Sequence, residues 1–363
     1  GVLIGAVEEE RFRRIKHWAG FPSEAIKWCL SEAAINLKDI DHIAVNQDSK
    51  ANLGKKIIHT IKNPPKLDMI LGRFRNKIER GNLEDHLKKE FPDSPFKGTI
   101  HKVEHHTAHL SSAFHVSPFN EAVVLSVDGF GDFASTAWGV GRGIEIDLKD
   151  RVYFPHSLGI YYMALTQFIG FQNWGDEYKV MGLAPYGKPT YLNQIRQIIS
   201  LKPNGKFELN LDYFCHHKEK TEYVWKNDGP LVKPIFTEKL KKLLGPPRKL
   251  GEELTQRHKD IAHSAQAIYE EAFFHILNTL HEKFKIDSIA IAGGCGFNSV
   301  ANGKILLNTP FKKIYVQAAA GDAGGAIGAA FATWHKIGGK KGLERGKLHD
   351  HAYWGASFTN EYC

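Results

Sequence analysis

The chain has 363 residues, too many for one small module; at about 150 residues per domain it divides into roughly two compact units or one large α/β body with two lobes. With 42% hydrophobic and 24% charged residues, 22 Phe among them, it holds enough buriable surface to exclude wholesale disorder. The formal charge is +8, and residues 50–102 carry thirteen basic against six acidic side chains, so the excess is local. Such a block can attract phosphate-rich ligands or an acidic partner, but charge alone does not make a nucleic-acid binder, and none is expected.

Cys29, Cys215, Cys295 and Cys363 lie far apart with no CxxC pair, which is neither a disulfide framework nor a zinc ribbon and fits a reducing cytoplasm. There is no run of about 18 apolar residues to span a bilayer and no secretory pattern at the N-terminus, so neither membrane insertion nor export is expected.

In chain order, GVLIGAVEEERF reads as an apolar strand running into charge, with nothing before it to pair with. Pro22 and Ser23 open a helical pattern through Ala25, Ile26, Cys29, Leu30 and Ala33, followed by a strand at 42–46. Residues 50–98 hold the basic excess, four prolines and an amphipathic stretch near Phe74, Ile78, Leu83 and Leu87, and read as an inserted helical flap. GTIHKVEH and EAVVLSVDGFGD flank the helix HTAHLSSAFHV, a strand–helix–strand unit over 98–132. ASTAWGVGRG and IEIDLKDRVYF alternate as an antiparallel hairpin, and IYYMALTQFIGF is helical. GDEYKVMGLAPYGKP has no period and reads as a long ordered loop, and polar residues 201–250 read as a peripheral segment. A helical stripe over Ile261, Ala265, Ile268, Ala272 and Ile276 precedes the strand DSIAIAGG; KKIYVQ and a glycine loop running into a small-residue helix follow.

His105 and His109, four apart, stack on one helix face where a single cation can bridge them. Asp128 and Asp322 each end an apolar strand or its loop, where a carboxylate has no packing role; the four together make a mixed N,O set suited to iron, zinc or manganese. The competing reading is that both aspartates cap turns or helices. Three glycine loops follow strands: Gly129 and Gly131; Gly293, Gly294 and Gly296 before Asn298; and Gly321, Gly324 and Gly325. Each lets backbone amides approach a phosphate, or merely serves turns and close packing, and none matches a P-loop or dinucleotide fingerprint. Arg11, Arg13, Arg14 and Lys16 form a basic cluster able to neutralise a phosphate or oxyanion, or a solvated face. His216 and His217 lack companion ligands and read as a surface loop.

The segments EEERFRRIKH, VEHHTAHLSSAF, SVDGFGD, PHSLGIYYMALTQFIGF, GDEYKVMGLAPYGKP, GGCGFNSVANGK and GDAGGAIGAA, in this order over nearly the whole chain, resemble the nodulation-type O-carbamoyltransferases. The resemblance implies an α/β, two-lobed, actin-like or sugar-kinase-like ATPase (ribonuclease H-like) fold with a helical insertion. Residues 1–132 would form the first lobe, with the basic insertion at about 50–98, and residues 133–363 the second. It implies that ATP and carbamoyl phosphate give carbamoyl adenylate, whose carbamoyl group moves to a hydroxyl of a sugar or natural product. By the same similarity His105, His109, Asp128 and Asp322 hold a divalent metal, iron by resemblance with zinc or manganese as alternatives. Lys16 is the catalytic lysine, and Gly129, Gly131, Glu177, Tyr178, Lys179, Gly293, Gly294, Asn298, Gly321 and Gly324 lie around the nucleotide. GGCGFN departs mildly from the more usual GGVALN. The family pattern also has a glycine-rich strand with an HDA-type motif before EEERF and an adenylate-forming domain after the C-terminal ASFTNEYC; neither is in this sequence, so a partial chain that transfers poorly alone is expected. The rival readings are a tRNA threonylcarbamoyl transferase-like enzyme, against which GDEYKVMGLAPYG and EEERF argue, a catalytically incomplete nucleotide-holding subunit, and a sugar kinase.

Overall fold

The computed structural model describes residues 1–18, 20–63, 82–219, 223–226, 229–339 and 351–361. After helix α1 (Ser23–Glu32) come β1 (His42–Val45), α2 (Leu53–Lys62) and α3 (Leu83–Glu90), then β2 (Thr99–Lys102), which pairs with β1 in parallel. Helix α4 (His105–Phe114) leads into β3 (Glu121–Gly131), β4 (Ala134–Arg142) and β5 (Glu145–Tyr153), and α5 (Leu158–Phe168) and α6 (Glu177–Leu183) follow. Two hairpins, β6 (Ile199–Lys202) with β7 (Lys206–Leu209) and β8 (Tyr223–Lys226) with β9 (Gly229–Val232), precede α7 (Glu238–Leu244) and the long α8 (Gln256–Phe284). The chain then forms β10 (Ser288–Ala292), β11 (Lys313–Val316) and α9 (Asp322–Ile337).

The main sheet has the order β11-β10-β3-β4-β5, mixed in sense: β3, β10 and β11 run parallel, while β3, β4 and β5 form an antiparallel meander. Strand alternation sorts β3 onto both faces. Val123, Leu125 and Val127 face α5 and α8 in a core with Trp138, Tyr161, Phe168 and Phe273. Ala122 and Val124 face α4, where Leu110, Ala113 and Phe114 close the other side. A strand buried on both faces must be apolar almost throughout, as β3 is until Asp128. Helices α4 and α9 cross closely, since a Cβ at Gly328 would overlap the Ala108 carbonyl; this brings the start of α9 to the start of α4.

Several expectations need correction. The first seven residues form no strand; their amides find no sheet edge, and Ala6 N–H instead donates to the Trp354 carbonyl at 2.9 Å. GDEYKVMGLAPYGKP is not a loop: α6 and a 3-10 turn (Ala184–Tyr186) occupy it because Val180 and Ala184 are buried beside α8, a tertiary reward too local to show as a period. Residues 201–250 are not peripheral, for Phe207, Leu209, Tyr213, Phe214, Ile235, Leu240 and Leu244 join the main core. The first strand of the 98–132 unit is short, ending at Lys102, with α4 already begun at His105. Of the insertion's amphipathic stretch, Leu83 and Leu87 lie on α3, while Phe74 and Ile78 fall outside the described residues.

Candidate metal centre

Three elements deliver four ligand atoms to one place. Helix α4 stacks His105 over His109, as the four-residue spacing requires, with their Nε2 atoms 3.0 Å apart. From the end of β3, Asp128 Oδ2 lies 3.0 Å from His105 Nε2 and 3.5 Å from His109 Nε2. The first residue of α9, Asp322, places Oδ1 3.5 Å from each imidazole nitrogen. All four ligand atoms lie within 4.8 Å of one another, three of the residues buried and Asp322 exposed. Two imidazole nitrogens and two carboxylates at this spacing fit a divalent cation of borderline hardness, and no thiolate belongs to the set.

Neighbours fix each ligand. Gly294 N–H donates to Asp128 Oδ1 at 2.9 Å, leaving Oδ2 to the histidines. Ser157 donates to the Asp128 carbonyl at 2.9 Å and caps α5 at Ile160, tying that helix to the ligand's backbone. His105 N–H donates to Asp132 Oδ2 at 2.9 Å. Glu104 caps α4 by accepting from Thr107 N–H and hydroxyl at 2.8 and 2.7 Å and takes a further bond from Arg151 at 3.2 Å. His106, between the ligands, turns away to Ser126 at 2.9 Å, and burial pushes its imidazole down to about 4.

The charges are interlocked. Burial alone would raise the Asp128 carboxyl, but hydrogen bonds from His105 and His109 and their charge hold it well below the usual carboxylate range. Burial alone would lower His109; bonds to Asp128 and Asp322 override it and push the imidazole up to about 9. The cation-free protein therefore has a signed pH dependence. Because the folded value for His109 exceeds the unfolded value of about 6.5, its contribution, on the order of 3 kcal/mol, is complete below pH 6.5 and lost as pH rises through about 9. Asp128, held low, contributes above about pH 4 and loses that contribution as pH falls through its depressed value. Urea midpoints of chelator-treated protein should fall between pH 7 and 10, whereas cation-loaded protein, with the proton replaced, should show little fall; equal slopes would refute this electrostatic account.

The other expected site residues divide into two groups. Gly293 (φ +90°) and Gly294 follow β10 against the backbone at Val127 and the Asp128 carboxylate, and Gly321 and Gly324 open α9 beside Asp322. Gly129 is open to solvent-side space, whereas a Cβ at Gly131 would fall inside the His105 ring. Asn298 is already engaged, accepting from Ala301 N–H and exchanging 3.0 Å bonds with Gln266. Glu177, raised by burial, interacts electrostatically with Tyr162 and with Cys295, which in turn feels Asp128. Tyr178 is exposed, and Lys179 pairs with Asp176 at 2.6 Å. Lys16 is exposed, and no hydrogen bond or ion pair joins it to the four ligands among the described residues.

The basic cluster beside Lys16 is not free as a unit: Arg13 binds the buried Glu9 at 2.7 Å, and Glu9 also accepts Ala25 N–H at 2.7 Å, capping α1. His216 is not on the surface; it is buried, donates to the Pro155 carbonyl at 2.9 Å and is pushed by burial down to about 4. Asp132, Glu104 and Ser157 carried no signal as site residues, since each acts through a partner distant in sequence or through a cap. Cys29, Cys215 and Cys295 are free thiols. No described helix is long and apolar enough to cross a membrane.

Fold and site together define a mixed-sheet α/β protein with a two-imidazole, two-carboxylate cluster at the tips of its strands and helices. The chain belongs to the family described as carbamoyltransferase N-terminus, whose model matches residues 1–331. It is 38% identical over 371 residues to the uncharacterized protein sll1178 of Synechocystis sp., covering 99% of this chain and 58% of that protein. It is 35% identical over 368 residues to nodulation protein NolNO of Sinorhizobium fredii, covering 99% of this chain and 48% of the relative. The chain thus spans about half the length of the curated relatives it matches. Among solved structures, the crystal structure of T. kodakarensis HypF aligns with a TM-score of 0.35 at 16% identity, covering 71% of this chain and 40% of that one, too loose a likeness to argue from.

Proposed function

We propose that this chain is the transferase portion of an O-carbamoyltransferase, moving a carbamoyl group from carbamoyl adenylate, made from ATP and carbamoyl phosphate, to a hydroxyl of a sugar or natural product. The observation that carries the reading is the convergence of His105, His109, Asp128 and Asp322 in a chain of this family. In the same reading the chain takes the two-lobed actin-like fold, with the lobes meeting near residue 132, an adenylate-forming partner domain and a cytoplasmic location. The sheet order supports the fold: an antiparallel meander whose first strand continues into two parallel strands is the ribonuclease H-like pattern.

The four ligands would hold the divalent cation, iron in this reading. When bound, it supplies Lewis acidity to a carbonyl or phosphoryl oxygen. Asp128, with Oδ1 fixed by Gly294 N–H, keeps one oxygen aimed at the cluster and balances charge there. His105 and His109, buried and anchored on one helix, orient that oxygen and exclude water from its far side. Gly293, Gly294, Gly321 and Gly324 present small backbone surfaces to a nucleotide phosphate, with Gly129, Glu177, Tyr178, Lys179 and Asn298 around the rest of it. Lys16, exposed in its turn, would in this reading be the group that meets the developing charge. The test supplies the cation-loaded chain with carbamoyl adenylate and a panel of hydroxylic acceptors and follows the mass gain of one carbamoyl group. Product that depends on the cation is expected; adenylate hydrolysed with no carbamoylated acceptor from any of the panel would reject the proposal.

A further inference from the structure

Beside the cluster stands a group of rings that the ligand arrangement does not use. Phe130 and Phe154 lie 5.1 Å apart between ring centroids, Phe133 and Phe154 5.5 Å, and His59 from α2 meets Phe133 at 5.5 Å and Phe154 at 5.1 Å. His216 stacks on Phe130 at 5.9 Å, with the half-exposed His217 at its side. The three phenylalanines are only half-buried, Phe130 resting against the main core, so their outer faces form a ledge.

The ledge is built at a cost and wired to the metal ligands. The β3–β4 turn holds Asp132 at φ +47° and Phe133 at φ +76°, a two-residue turn whose second position normally takes glycine. A bulky side chain there is an outlier, kept only because the surroundings determine it. Asp132 supplies that determination: its Oδ2 accepts Asp48 N–H at 2.7 Å and His105 N–H at 2.9 Å, and its carbonyl accepts from Asn52 at 2.9 Å. The same residue therefore sets the start of α4, the approach to α2 and the pose of Phe133. Phe130 follows the ligand Asp128 by two residues, and Gly131 lies against the His105 ring.

We propose that Phe130, Phe133 and Phe154, with His59 and His217 at the margin, form the seat for the acceptor, a neutral ring compound with an apolar C–H face and peripheral hydroxyls, and that Phe133 determines its fit. This rests on the carbamoyl-transfer reading above. Aromatic faces cover the apolar side of such a ring while a few polar groups at the edge orient its hydroxyls, the usual make-up of a small-molecule site. Burial pushes the His217 imidazole down, so it stands neutral beside the ledge and can bond hydroxyls without demanding an anion, while the buried His216 stays with the Pro155 carbonyl and backs Phe130. Contiguity with His105 and Asp128 brings a hydroxyl on the seated ring to the cluster's side.

Saturation-transfer NMR with methyl β-D-glucopyranoside and the cation-loaded full chain tests this, with F133G as the variant because glycine accepts the turn's conformation. Transfer to the protons of one ring face is expected in the wild type and should drop by at least about threefold in F133G, with cation affinity unchanged. F130L, in which the turn is untouched, should lower it as well. Equal transfer in wild type and both variants, or none in the wild type, overturns the seat. With carbamoyl adenylate added, wild-type KM for F133G would sink the seat and leave carbamoyl transfer standing. Glycoside held on the ledge with no carbamoyl product would do the reverse.

Discussion

Asp128→Asn should weaken divalent-cation binding by about 100-fold or more, close to 3 kcal/mol at 1.4 kcal/mol per tenfold, and with it abolish the carbamoyl transfer proposed above. The substitution keeps the shape of a buried side chain. An Asn carbonyl can still accept Gly294 N–H, and the Ser157 bond goes to the backbone, so the strand tip and α5 keep their contacts. What is lost is the negative charge that both imidazoles face, and an amide NH2 group now stands where Oδ2 offered a lone pair to the cation. Removing groups one shell further out commonly costs 10–100-fold in metal affinity, so a ligand should cost at least the upper end. Asp322→Asn should cost less, because its side chain is 73% exposed and water can take its place. Isothermal titration with zinc and with manganese, beside urea midpoints to confirm folding, gives the ranking. D128N binding within threefold of wild type would mean the four residues meet without serving a cation.

Substitution at Asp128 also alters the proton ledger. With its charge gone, His109 keeps only the exposed Asp322 as an anionic partner against full burial, so the alkaline loss of stability in cation-free protein should shrink. That gives D128N a second signature that depends on charge and not on volume.

The parts of this site that could be read from sequence are those whose chemistry is local. The four-residue spacing of His105 and His109 becomes shared direction as soon as the segment is helical, and a carboxylate at the end of an otherwise apolar strand, like Asp128, has nothing else to do. Alternation likewise carried the β4–β5 hairpin, and the stripe from Ile261 to Ile276 carried α8. What escaped depends on partners far along the chain. Asp132 looks like any turn aspartate until α4 and residue 48 arrive at its carboxylate, and Glu9 looks like part of a charged run until α1 places Ala25 N–H on it. Val180 and the apolar residues of 201–250 are too sparsely spaced to announce burial, yet α8 and the hairpins collect them into the core. His216 escaped for the same reason, its hydrogen bond among the described residues reaching back to Pro155.

Gly131→Ala separates two meanings of the first glycine loop, and it is expected to lower cation affinity by about tenfold or more and destabilise the chain by about 1–3 kcal/mol. In sequence, Gly129 and Gly131 are alike, both small residues beside a strand-end aspartate. In space they are not: a methyl group at Gly129 would meet nothing within 4 Å, while one at Gly131 would overlap the imidazole carbons of His105. Neither glycine has a left-handed φ, so alanine brings no backbone strain at either position and the contact alone decides the outcome. His105 is hemmed in by its amide bond to Asp132, by Asp128 and by His109, so it can clear the new methyl only by giving up its place among the ligands. Gly129→Ala should therefore leave cation binding at the wild-type level and affect only a ligand that needs the open backbone, such as a nucleotide phosphate. Titrating both variants with zinc and then with ATP reads the two roles apart. If G131A holds the cation as tightly as wild type, the glycine is there for the turn, and His105 does not depend on the space it leaves.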